Sequence, residues 1–137
     1  MKRRIKNFRN FSRINENHEE FMSVSFDELR DMIDERPEQP ISILSKPGEG
    51  LSYIIKDIAK DLDLDLVEID AQTEDIEYQL PKSGEGIVVV DAIVVSNVTI
   101  SSIFQNMAPN WTYIFIYKDD NFNGSLVNRT TQVKLEH

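Results

Sequence analysis

The chain contains no cysteine, which excludes disulfides, thiolate metal sites and cysteine nucleophiles. Histidine is almost missing too: His18 and His137 are the two present, too few for a histidine-rich metal site. No apolar run approaches the roughly 20 residues that span a bilayer. The stretch from Met1 to Lys6 is charged but lacks the apolar segment of a secretory signal. A cytoplasmic protein with no membrane partner is the expectation. Leu135-Glu136-His137 matches the start of an expression tag, so 136–137 are set aside as a tag remnant.

What is present suits one globular domain. The 137 residues are 40% hydrophobic and 28% charged, an ordinary balance for a chain able to bury a core without staples. The net charge of −9 is unevenly placed. Lys2, Arg3, Arg4, Lys6, Arg9 and Arg13 precede the first acid, Glu16; the remainder sets 9 basic against 24 acidic residues, a net of −15. Residues 1–20 therefore read as a basic arm and 21–135 as a single domain. The acidic body repels nucleic acid and anionic surfaces, so nucleic-acid contact is confined to residues 2–13. A solubilising tail is the plainer reading of the arm, and Phe8 and Phe11 among its charges are weak evidence for stacking.

Ser25 and Glu28 form a capping-box pattern, followed by Phe26, Leu29, Met32 and Ile33 at helical spacing. Pro37 and Pro40 end that helix. Strands are expected at Ile41–Leu44, Leu66–Ile69, Ile87–Val90, Tyr113–Tyr117 and Thr130–Leu135. Between them, Leu51–Leu62 carries Leu51, Ile54, Ile55, Ile58, Ala59 and Leu62 on one face. Glu74–Leu80 suits one or two helical turns and Val98–Met107 a further helix. Strands alternating with helices imply crossovers and an α/β fold: three layers, with a mostly parallel five-stranded sheet covered on both faces.

One strand–turn–helix carries the chemistry. A phosphate-binding loop reads G-x-x-x-x-G-K-[ST]: glycines let the backbone approach the ligand, lysine meets its charge, and a hydroxyl holds magnesium. The same slot here is filled by Ser45, Lys46, Pro47, Gly48, Glu49, Gly50, Leu51 and Ser52. Gly50 and Ser52 are in place; Ser45 replaces the first glycine and Leu51 the lysine. With Pro47-Gly48 the stretch resembles the loop of the AAA+ ATPases, and the proline-containing lead-in at Ala108–Trp111 resembles that of MoxR-like members. The resemblance, over about residues 40–135, implies a P-loop NTPase-like fold and further motifs. Ile87–Asp91 resembles the Walker B strand, with Asp91 at the magnesium-associated aspartate and Ala92 where the family has its catalytic glutamate. Ala108–Trp111 resembles the lead-in to the sensor-1 strand, with Asp119 or Asn121 near the sensor position. Leu126–Thr130 resembles the stretch before the fifth strand, Arg129 standing at its arginine. The resemblance ends before the family's helical lid, for which no counterpart is expected within residues 1–137.

These replacements bear on function directly. Leu51 supplies no charge for a triphosphate and Glu49 adds repulsion; Lys46 is the nearby cation that could substitute. The degenerate loop, Lys46 to Ser52, remains the candidate anion site, with Ser52 and Asp91 as metal ligands only where Mg-nucleotide binds. No cofactor is expected beyond weak ATP or ADP with magnesium. No catalytic residue is assigned, because neither the lysine nor a water-orienting glutamate is there. Asn121 and Arg129 are candidates for sensor or trans-acting roles, with a surface charge as the plain reading of Arg129.

Other constellations are weaker. Asp61, Asp63 and Asp65 alternate as in a calcium loop, but Leu66 and Gln72 stand where glycine and glutamate belong. Asp70, Glu74, Asp75 and Glu77 read as a solvated acidic face. Trp111 reads as a plug beside a proline turn. The expectation is thus a catalytically inactive AAA+-like domain that binds or regulates a protein partner, such as an AAA+-type oligomer or itself. The alternatives are an ATP-binding subunit whose site is non-standard, and an acidic interaction protein or nucleic-acid mimic.

Overall fold

The computed structural model describes residues 22–46, 50–69, 76–91, 97–117 and 130–136. Ten elements follow in order: β1 (Met22–Val24), α1 (Phe26–Asp34), β2 (Ile41–Leu44), α2 (Leu51–Asp61), β3 (Asp65–Ile69), α3 (Ile76–Gln79), β4 (Gly86–Asp91), α4 (Asn97–Gln105), β5 (Trp111–Tyr117) and β6 (Thr131–Leu135). All six strands are parallel, in the order β1-β6-β2-β5-β4-β3.

Helix α1 begins as its sequence dictates. Ser25 Oγ accepts from the Glu28 N–H at 3.1 Å, and Glu28 Oε1 accepts from the Ser25 N–H at 2.9 Å. Two orphan donors are thereby satisfied reciprocally. Arg36, at φ 54°, closes the other end, its N–H donating to the Ile33 carbonyl at 3.0 Å.

Strand order decides which face each helix covers. The connections β1→β2 and β2→β3 run one way along the sheet, whereas β3→β4 and β4→β5 run back. Right-handed crossovers then place α1 and α2 on one face and α3 and α4 on the other. The core divides accordingly. On the first face Leu29, Met32, Ile33, Leu51, Ile55 and Ile58 pack with Ile41, Ile43, Ile87, Val89, Ile114, Ile116, Val133 and Leu135. On the second, Leu80, Ile100 and Ile103 pack with Val88, Val90, Tyr113 and Phe115. The strand register produces both layers: Ile41 and Val89 flank Ile114, while Val88 lies level with Tyr113 and Val90 with Phe115. Phe104 of α4 stacks on Phe115 with centroids 5.5 Å apart.

The α/β class and parallel sheet agree with the sequence reading, with one difference. The sheet has a sixth strand, β1, which pairs with β6 and is held by a bond from the Glu136 N–H to the Val24 carbonyl at 2.8 Å. Its three residues show too little alternation to register as a strand pattern; pairing with a distant segment creates it. Residues 1–21 lie outside the described part, as does the polar turn read at Asn121 to Ser125.

Trp111 is a plug. Its indole N–H donates to the Ser83 carbonyl at 3.1 Å. A Cβ added at Gly86 would fall 2.6 Å from the indole and 2.3 Å from the Asp65 carbonyl oxygen. Gly86→Ala is therefore expected to cost about 2–3 kcal/mol through overpacking; urea unfolding checks this, and a loss below about 0.5 kcal/mol would contradict it.

Tyr113 is buried, and its phenol oxygen accepts the Ala108 N–H at 2.8 Å. Burial raises its pKa above the ordinary value near 10, the Ala108 bond opposing this. The folded state thus holds its proton where the unfolded chain releases it. The resulting stability is complete below about pH 10 and is lost as pH rises from there through the folded value. Tyr113→Phe is expected to cost about 1 kcal/mol at neutral pH and to flatten this part of the alkaline decline. Identical alkaline slopes for wild type and variant would refute the assignment.

Candidate functional site: the turn between β2 and α2

In an all-parallel sheet every loop that follows a strand lies at the carboxyl edge. The exits of neighbouring strands β2 and β5 diverge there, since β3 lies on one side of the pair and β6 on the other. Such a divergence opens a crevice, the usual ligand position in open α/β sheets. The segment from Ser45 to Ser52 leaves β2 at this point and enters α2.

Gly50 is the N-cap of α2, at φ 68° and ψ 36°. A Cβ there would meet nothing within 4 Å, so it is the left-handed backbone, not crowding, that favours glycine. The Gly50 carbonyl accepts from the N–H groups of Tyr53 at 3.0 Å and Ile54 at 3.2 Å. No side chain caps the helix and its first turn holds no acid, so within that turn no carboxylate offsets the positive end of the helix dipole.

Leu51 departs most clearly from a phosphate loop. It occupies the slot of the lysine, and its side chain is only 4% exposed, within the core layer of α1 and α2. The position carries no cation, and its residue packs inward. Ser52 is exposed on the next position, and Lys46 is exposed two residues beyond the end of β2. Pro47, Gly48 and Glu49 lie outside the described residues.

Asp91 is the last residue of β4, level with Ile116 of β5. Since β5 separates β4 from β2, the Asp91 backbone lies about 10 Å across the sheet from β2, at the same edge as Ser52. Its side chain lies outside the described part, as do Ala92, Asp119, Asn121 and Arg129, together with Asp70, Glu74, Asp75 and the side chain of Glu77. The structure therefore brings Lys46, Gly50, Leu51, Ser52 and the Asp91 backbone to one edge.

The alternating aspartates occupy three different settings. Asp61 ends α2 and accepts from Arg30 at 2.9 Å, Asp63 turns the chain at φ 56°, and Asp65 opens β3. Among the described residues no group of three or more candidate ligands is placed to hold a metal ion, and no helix is long and apolar enough to cross a membrane.

Sequence reasoning missed Tyr53. It is 73% exposed in the first turn of α2, next to Ser52, with Lys56 Nζ 5.7 Å from its ring centroid. The signal was available, because Tyr53 falls off the apolar face of Leu51, Ile54, Ile55 and Ile58.

No protein-family model matches the chain, and no curated protein matches it either. Among solved structures it is similar to a mutant RuvB from Thermotoga maritima, with a TM-score of 0.62 and 14% identity. The similarity covers 82% of this chain and 48% of that one, so the chain spans about half the length of that protein. At this identity the likeness shows the fold alone: an all-parallel α/β sheet with helices, matching a P-loop NTPase-like neighbour.

The inward position of Leu51 has a measurable consequence. Leu51→Ala is expected to destabilise the domain by about 2–4 kcal/mol, as for other buried leucines. Denaturant unfolding measures this; a change under about 0.5 kcal/mol would mark Leu51 as a surface loop residue.

Proposed function

We propose that this chain is a catalytically inactive AAA+-like domain that works as a protein-binding or regulatory module. The burial of Leu51 carries the reading. A P-loop needs a cation at the helix start to meet the phosphates, and here that position holds an aliphatic side chain packed into the core. Losing one charge-assisted contact costs about 1.5–3 kcal/mol, or roughly 10- to 100-fold in affinity. Hydrolysis needs more than binding, because phosphoryl transfer rests on charge stabilisation and an oriented water. Leu51 and Ala92 stand where a lysine and a glutamate would serve those needs. The scaffold is kept while the chemistry is gone, which suits a module read by a protein partner, an AAA+-type ring or a second copy.

The exposure of Lys46 and Ser52 beside the left-handed Gly50 favours a second reading. An assembly could complete the site, with Lys46, Ser52 and Asp91 engaging Mg-ATP.

Titration calorimetry with ATP, with and without magnesium, separates the two. The inactive module predicts a dissociation constant weaker than about 100 μM, little changed by Lys46→Ala or Asp91→Ala. Micromolar binding that needs magnesium and is abolished by either substitution would replace the first reading with the second.

A further inference from the structure

The end of the sheet opposite the degenerate loop carries a cavity of about 460 Å³ lined by Arg36, Pro37, Glu38, Met107, Ala108, Pro109, Asn110 and Trp111. Its walls are fixed from several sides. Trp111 is bonded to Ser83, Ala108 donates to Tyr113, and Arg36 is paired with Glu85. Arg36 and Asn110 both take left-handed backbone, at φ 54° and 69°, which sets the two loops facing each other. Trp111, Met107 and the two prolines make the lining suited to an aromatic side chain, and the exposed carboxylate of Glu38 stands at the rim.

We propose that this cavity receives the chain's own N-terminal arm, with Phe8 or Phe11 seated against Trp111 and Arg9 or Arg13 facing Glu38. Three observations converge. The first is position. Strand β1 is parallel to the others, so the arm joins the domain at the amino end of the sheet, the end that holds the cavity. The second is reach. β1 and β5 are three strand spacings apart, about 14 Å. Phe11 stands eleven positions before Met22, and as a coil that length spans about 18 Å, so the aromatic reaches without stretching. The third is charge. The described loops leading into β2, β3, β4 and β5 carry Glu35, Glu38, Asp63 and Glu85 against Arg36 and Lys82, four acids to two bases, a net of −2. Residues 2–13 carry six cations and no acid. Tethering makes the contact intramolecular, so a modest intrinsic affinity suffices.

Trp111 is the sole tryptophan of the chain, so its fluorescence reports on the cavity in the full-length protein. Acrylamide quenching is compared between wild type and the Phe8→Ser/Phe11→Ser variant, whose changes lie outside the domain core. The double variant is expected to show a quenching constant about twofold higher, and Glu38→Lys a smaller rise in the same direction. Raising salt from about 0.05 M to about 0.5 M should move wild type part of the way and leave the double variant where it is. Equal quenching in wild type and double variant, at matched melting temperature, overturns the proposal. So does shielding that grows with protein concentration, which would assign the cavity to the arm of a second copy.

Discussion

Strands β4 and β5 are apolar on both sides, and a parallel strand of that kind must be covered by helices above and below. Ile87 and Val89 face one way and Val88 and Val90 the other, with Val88, Val89 and Val90 level with Tyr113, Ile114 and Phe115 of β5. A slip of one residue would exchange the two sets, so the register is pinned. The order of crossovers follows from the same requirement, since α1 and α2 can seal one face only if α3 and α4 return across the other. The divergence of β2 and β5 at the carboxyl edge is then a by-product of covering the sheet, available for a ligand whether or not one is used.

At that edge packing governs the start of α2. Gly50 takes the left-handed turn that starts α2. Leu51 extends the apolar stripe of α2 by one residue at its amino end and joins Ile55, Ile58 and Ala59 in the core. A lysine there would have to bring its ammonium out of the apolar layer to reach a phosphate. The aliphatic side chain strengthens the attachment of α2 to the sheet and brings no cation to its amino end.

Much of this was legible before any coordinates. The box of Ser25 and Glu28 announced α1, the β-branched run from Ile87 to Val90 announced a strand covered on both faces, and the helical spacing of Leu51 with Ile55 and Ile58 already placed Leu51 inward. β1 was not legible, because Met22 to Val24 becomes a strand only through its partner β6. The cavity at the amino end was not legible either. It joins the loop of Arg36 to Glu38 with that of Met107 to Trp111, segments far apart in sequence that meet only because β2 and β5 are neighbours. Trp111 could be read as a plug, but its seat over Gly84 and Gly86 required the β4–β5 register. Local chemistry encodes caps and faces, while sites assembled from two loops depend on strand order.

The account rests on an aliphatic core residue standing where a nucleotide-hydrolysing domain needs a cation. Steady-state phosphate release from Mg-ATP by the purified chain tests it most directly. It predicts no release above the enzyme-free background. Turnover near about 1 s⁻¹, the lower end of the usual enzymatic range, would contradict it.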